Sequence, residues 1–174
     1  MPNAIIRGFQ SVAQFEGRDR RARFWPYVAV VVAILLVVQM LGAATIAVPL
    51  MAELQTSIET ETEPPWDRLE AAWRSVLVFM AALGISYLVL MAAAVTRRLH
   101  DTGRTALWGL LPFPFFAYNT VMFWLSWTDL IKPDEWLFLS VSLSSGLGVL
   151  VTIVLIVLLA LPGAPEPNRF GARP

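Results

Sequence analysis

The sequence predicts an all-α integral membrane protein: a four-helix bundle with a short interfacial amphipathic helix at its N-terminus. Three observations predict it. Charges are missing from four long stretches, 24–52, 75–96, 105–128 and 136–165. The arginines gather in alternate intervening segments. The seven tryptophans fall near the ends of the uncharged stretches. Of the 174 residues, 57% are apolar and 15% charged, with a mean hydropathy of +0.63. A bilayer core of about 30 Å needs roughly 20 helical residues, and all four stretches are long enough. A soluble buried helix of that length would need a polar face for water.

The elements follow in order. Residues 4–15 place Ile5, Phe9 and Val12 on one helical face, which suits a helix lying on the membrane surface, with Gly8 weakening it. The first span is expected over 26–48. Its apolar core is too long for a cleaved signal segment and should be retained. An acidic outer loop is expected over 53–70, carrying Glu53, Glu59, Glu61, Glu63, Asp67 and Glu70. Within it, Pro64-Pro65 followed by Asp67 reads as the start of the second helix, since proline and acids suit a first turn. The second span is expected over 75–96, ending at a Gly103 C-cap. The third, 105–128, should be kinked at Pro112 and Pro114. A tight turn over 129–135 leads to the fourth span, 136–161. There Ser142, Gly146 and Gly148 are candidate helix-packing positions, Ser142–Gly146 and Ser144–Gly148 being small-residue pairs. A tail over 163–174 follows.

Ten basic residues lie in the N-terminal segment, the loop between spans two and three, and the tail, against Arg68, Arg74 and Lys132 on the other side. The positive-inside rule then puts both termini in the cytoplasm. Nine of the 13 acids lie opposite.

Other function classes are excluded or disfavoured. Zero net charge speaks against a nucleic-acid partner. With no cysteine and one histidine, no thiolate nucleophile and no Cys- or multi-His metal site can form within the chain. Phosphate-loop, dinucleotide and hydrolase motifs are absent. No cofactor and no enzymatic activity are expected. His100-Asp101 resembles half a catalytic dyad, but neighbours on a helix point about 100° apart. No span carries an ionisable residue, which speaks against an ion-coupled carrier. A small transporter or channel, using the kinked third span with Asn119 and Thr120 and the fourth with Ser142 and Ser145, is the alternative to an accessory, scaffolding or regulatory role.

Three segments carry a resemblance. Residues 15–25, FEGRDRRARFW, contain Arg18 and Arg21. Residues 97–104, RRLHDTGR, contain Arg97, Arg98, His100, Asp101 and Arg104, with Trp108 beyond. Residues 167–171, PNRFG, contain Asn168 and Arg169. In this order they resemble the motifs of the bacterial inner-membrane family called domain of unknown function 805. The long acidic stretch 53–70 is not expected in the shortest members, and Ala106-Leu107 stands where the family often has a small residue and an aromatic. The resemblance implies a bacterial cytoplasmic membrane and supplies no activity. By the arginine count all three motifs face inward. With only Glu16, Asp19, Asp101 and Glu166 there, Asp101 is expected to pair with an arginine of the first motif. The remaining arginines are expected to meet anionic lipid headgroups. A membrane-protein partner or a homo-oligomer is the other association expected.

Overall fold

The computed structural model describes residues 2–172 except 129 and 133; of Pro2, Asn3 and Trp127 only the backbone is described. Expectations for the Trp127 indole, Asp129 and Arg173 therefore lie outside the described residues. The chain is helical: α1 Pro2–Gln10, α2 Arg21–Glu59, α3 Trp66–Asp101, a 3₁₀ helix Ala106–Leu110, α4 Phe113–Trp127 and α5 Glu135–Ala160. No strand occurs among the described residues. By residue count and composition four segments are long and apolar enough to cross a membrane, the third only when the 3₁₀ helix is counted with α4.

The structure divides into two compact units. Residues 1–12 and 25–91 form the first; residues 13–24 and 92–174 form the second. In the first, α1 is shorter than the predicted 4–15. Its last backbone bond runs from the Ser11 N–H to Arg7 O at 2.9 Å, and the Ser11 hydroxyl donates to the same carbonyl at 2.7 Å. Gly8, expected only to weaken the helix, lets it approach α2: a Cβ there would overlap the Tyr27 ring. Phe9 meets the same ring edge-on, centroids 5.2 Å apart. The Tyr27 hydroxyl donates to Leu90 O at 2.7 Å, satisfying a phenol that is almost wholly buried.

The acidic loop expected over 53–70 is mostly helix. α2 continues to Glu59 and α3 begins at Trp66, leaving only 60–65 as connection. The residues Ala52-Glu53-Leu54-Gln55 are strong helix formers. Gln55 bonds Glu59 at i,i+4 and Thr56 bonds back to Ala52 O, so the polar sequence extends the helix beyond its apolar part. Pro64-Pro65 ends the connection, and Asp67 lies in the first turn of α3, as the sequence indicates.

In the second unit α3 ends in the expected glycine cap. Gly103 has φ +78°, its N–H bonds His100 O, and the N–H of Arg104 bonds Leu99 O, which is a Schellman motif. The prolines of the third stretch do more than kink a helix. Pro112 is the N-cap of α4 and Pro114 lies in its first turn, where a missing N–H costs nothing. The chain before them is a separate 3₁₀ helix. α4 then packs on α5. Gly148 is buried there, where a Cβ would sit 3.1 Å from Phe115 Cβ. Tyr118 donates to Ser140 at 2.9 Å and Asn119 to Ser145 at 3.0 Å. The Ser142–Gly146 face is a correction. Ser142 is exposed and the space beside Gly146 is open, so that pair packs on no helix of this chain among the described residues. Phe115 lies across from Gly148, and this selects the other small-residue pair.

Candidate functional site: a buried arginine–aspartate clasp

The three motif segments meet in the second unit. Its buried residues include Arg18, Arg97, Arg98 and Asp101 beside Phe24, Ala93, Ala94, Leu99 and Leu159. Arg98 is the largest fully buried side chain among the described residues. Such residues are almost never fully buried unless paired, and here each one is.

Asp101 is the centre. Its Oδ1 accepts from Arg18 at 3.1 Å and its Oδ2 from Arg98 at 2.5 Å, the two arginine side chains being 1% and 0% exposed. The pairing with a first-motif arginine expected from the charge arithmetic is therefore present. The rest of each guanidinium goes to backbone carbonyls. Arg18 donates to Ala164 O at 2.6 Å and Glu166 O at 2.9 Å. Arg98 donates to Leu159 O at 2.8 Å and to Leu161 O. Two cations face one carboxylate, and the surplus charge is met by these carbonyl dipoles. Leu159 lies in the last turn of α5, which has no basic residue of its own. Arg98, reaching across from α3, complements the negative end of that helix. Arg21 donates to Ala160 O beside it at 3.4 Å.

Arg97 faces the first motif. Its Nε donates to Asp19 Oδ2 at 3.0 Å, another donor goes to Gln14 O, and the Asp19 N–H donates back to Arg97 O at 3.1 Å. The charge count assigns the surplus arginines to lipid. Arg97 and Arg98 are corrections, because both are buried and consumed inside the fold.

The third motif closes the clasp. Asn168 and Gly171 exchange backbone hydrogen bonds across a turn, and Asn168 Oδ1 accepts from Phe170 N–H at 2.9 Å. Asn168 Nδ2 then donates to His100 O at 2.9 Å, and the Ala164 N–H donates to Asp101 O at 2.8 Å. The Phe170 ring stacks on His100 with centroids 3.8 Å apart, and the Arg169 guanidinium lies 4.7 Å from the Phe170 centroid. His100 Nδ1 is 3.3 Å from Gly17 O. His100 lies beyond the apolar run 75–96. Burial, with the Arg169 charge adding to it, holds its pKa below the usual histidine value. The Asp101 carboxylate is occupied by arginines and His100 turns to Gly17, so the two do not form a dyad.

Sequence reasoning misses Gly163. A Cβ there would collide with Asp101 Oδ2, so the tail can cross the carboxylate only with no side chain at this position. Gly163→Ala is expected to destabilise the protein by ~1–3 kcal/mol, read as a lower thermal midpoint in detergent. An unchanged midpoint would show that the tail does not bear on Asp101. No signal short of the fold marks Gly163, since its partner lies on α3, far away in sequence.

Arg104 and Arg169 do not join the buried cluster. Arg104 is half-buried and makes one long bond, 3.4 Å, to Thr102 O; Arg169 is exposed. Asn119 and Ser145 bond one another, Thr120 bonds back to Phe116 O, and Ser142 is exposed.

A family model described as "Protein of unknown function (DUF805)" matches residues 12–172. No curated protein and no solved structure matches the chain. The matched range takes in every residue of the clasp, from Gln14 to Gly171, and all four apolar segments. With four segments consistent with a membrane protein, the chain belongs to the DUF805 family of proteins of unknown function.

Proposed function

We propose that this is a non-enzymatic accessory or scaffolding protein of a bacterial inner membrane, with both termini cytoplasmic and a basic inner face that engages anionic lipid headgroups. One observation carries the reading: the motif arginines divide into two groups. Arg18, Arg97 and Arg98 are buried and matched by Asp19, Asp101 and backbone carbonyls. Arg20, Arg21, Arg23 and Arg169 are exposed and Arg104 half-exposed, and none pairs with a carboxylate among the described residues. The exposed acids at this end are Glu16 and Glu166. The first group builds a clasp that occupies the Asp101 and Asp19 carboxylates. The second is a surplus of cations at one end of the apolar helices, where anionic headgroups supply the counter-charge.

Two measurements test this. Reporter fusions after residue 60 and near residue 131 are expected on the outer side, and those near 102 and 174 on the inner side. An inner-side signal from residue 60 would invert the orientation. Exchanging Arg20, Arg21 and Arg23 together for Gln is expected to lower the retention of phosphatidylglycerol over phosphatidylcholine by the purified protein. An unchanged preference would refute the lipid-facing role.

A further inference from the structure

The third apolar segment crosses with an unusually short helix. α4 has 15 residues, about 22 Å at 1.5 Å each, against a hydrocarbon core of ~30 Å. The 3₁₀ helix before it supplies little of the difference, because it stays level with the end of α3. The N–H of Arg104 bonds Leu99 O at 2.9 Å. Further along, a Cβ at Gly109 would lie 3.2 Å from Val95 Cγ1 and 3.6 Å from Leu99 Cδ1. Between Arg104 and Gly109 the chain therefore descends by no more than about one turn of α3.

This segment packs through its glycine and shows its large side chains outward. Leu107 is 71% exposed, Trp108 44% and Leu110 58%, and no residue of the 3₁₀ helix is buried. Just before it stands Arg104, whose guanidinium makes one hydrogen bond among the described residues, 3.4 Å to Thr102 O. A loosely held cation thus precedes an indole and two leucines at the arginine-bearing end of the bilayer-crossing helices. A phospholipid presents the complementary series: phosphate, glycerol interface, acyl chain. A bilayer next to a short helix also thins or tilts its lipids to cover the mismatch, which brings headgroups toward this segment.

We propose that Arg104, Leu107, Trp108 and Leu110 form a docking surface for one anionic phospholipid, with its phosphate on Arg104 and its chains over the two leucines and the indole. The proposal rests on the lipid-facing reading of the basic end and adds a discrete site to it. A second copy of the chain is the poorer occupant: at this end it would bring its own surplus of arginines over Glu16 and Glu166, not a counter-charge for Arg104.

The test is native mass spectrometry of the full-length protein in detergent, with phosphatidylglycerol or phosphatidylcholine of matched chains. Arg104→Gln is expected to reduce phosphatidylglycerol retention about five-fold, the order expected for one arginine at a lipid surface, and to leave phosphatidylcholine unchanged. Arg104→Lys should restore most of the loss, and Trp108→Ala should weaken retention of both lipids. Full phosphatidylglycerol retention by Arg104→Gln overturns the site. If the Arg20, Arg21 and Arg23 variant loses the preference in the same experiment, the general lipid-facing reading stands without it; if neither variant changes, both fail. A dimer that forms in place of lipid adducts and dissociates in Trp108→Ala also overturns the proposal.

Discussion

Asp101→Asn is expected to lower the stability of the protein by ~3–5 kcal/mol, the cost of removing one partner from a buried ion pair. The reason is the imbalance already present in the native clasp. Arg18 and Arg98 are 1% and 0% exposed and share this single carboxylate. The amide is the same size, so the substitution makes no cavity. It leaves two desolvated guanidinium charges with only carbonyl dipoles around them, and the amide NH2 would point donors at one of them. Asp19 cannot compensate, because its carboxylate is held by Arg97. The measurement is thermal or denaturant unfolding in detergent, with Glu166→Gln as the control. Glu166 is exposed and contributes its backbone carbonyl to Arg18, so removing its charge should matter little. A loss below about 1 kcal/mol for Asp101→Asn, typical of an exposed pair, would show that water reaches the cluster and that the clasp is a surface feature.

The legible and illegible parts of this protein separate by physical cause. The apolar helices are legible because hydrocarbon excludes charge, and an uncharged run long enough to cross a bilayer is a direct record of that exclusion. Gly103 is legible because few residues accept its positive φ after a helix. The Asp101 pairing is legible from counting alone, since few acids stand among many arginines. The acceptors for the rest of the Arg18 and Arg98 donors are not legible: they are main-chain carbonyls of Leu159, Leu161, Ala164 and Glu166, and a carbonyl has no letter in the sequence. Burial of Arg97 and Arg98 is hidden for the same reason, so a charge count sends them to lipid. The choice between the Ser142–Gly146 and Ser144–Gly148 faces is invisible because both have the same spacing. Only Phe115 on α4, meeting Gly148, breaks the tie. The helical turns at 53–59 escape a reading by polarity, because a polar composition suggests a loop although the same residues are good helix formers.

Arg98→Lys is expected to cost ~2 kcal/mol or more although the charge is kept, since each hydrogen bond to a charged group is worth about 1.5–3 kcal/mol when lost. Arg98 works as a fork. Nε reaches Leu159 O, one terminal nitrogen reaches Asp101 Oδ2 and the other reaches Leu161 O. One planar group thus ties the end of α5 and the start of the tail to the last turn of α3. A lysine ammonium is a compact point donor on a flexible stem. It can keep the contact with Asp101, but it cannot also span the carbonyls on both sides of Ala160. The Leu159 carbonyl, whose bond to Arg98 is buried, would then stay unsatisfied, and the half-buried Leu161 carbonyl would lose its charged donor. Arg68→Lys is the matched control: Arg68 pairs with Glu53 beside the connection between α2 and α3, and its side chain is 70% exposed. There the exchange should change stability by less than about 0.5 kcal/mol. Equal effects at the two positions would mean that Arg98 acts through its charge alone. A large loss at Arg98 with none at Arg68 would assign the stabilisation to the fork geometry that joins the second motif to the end of α5.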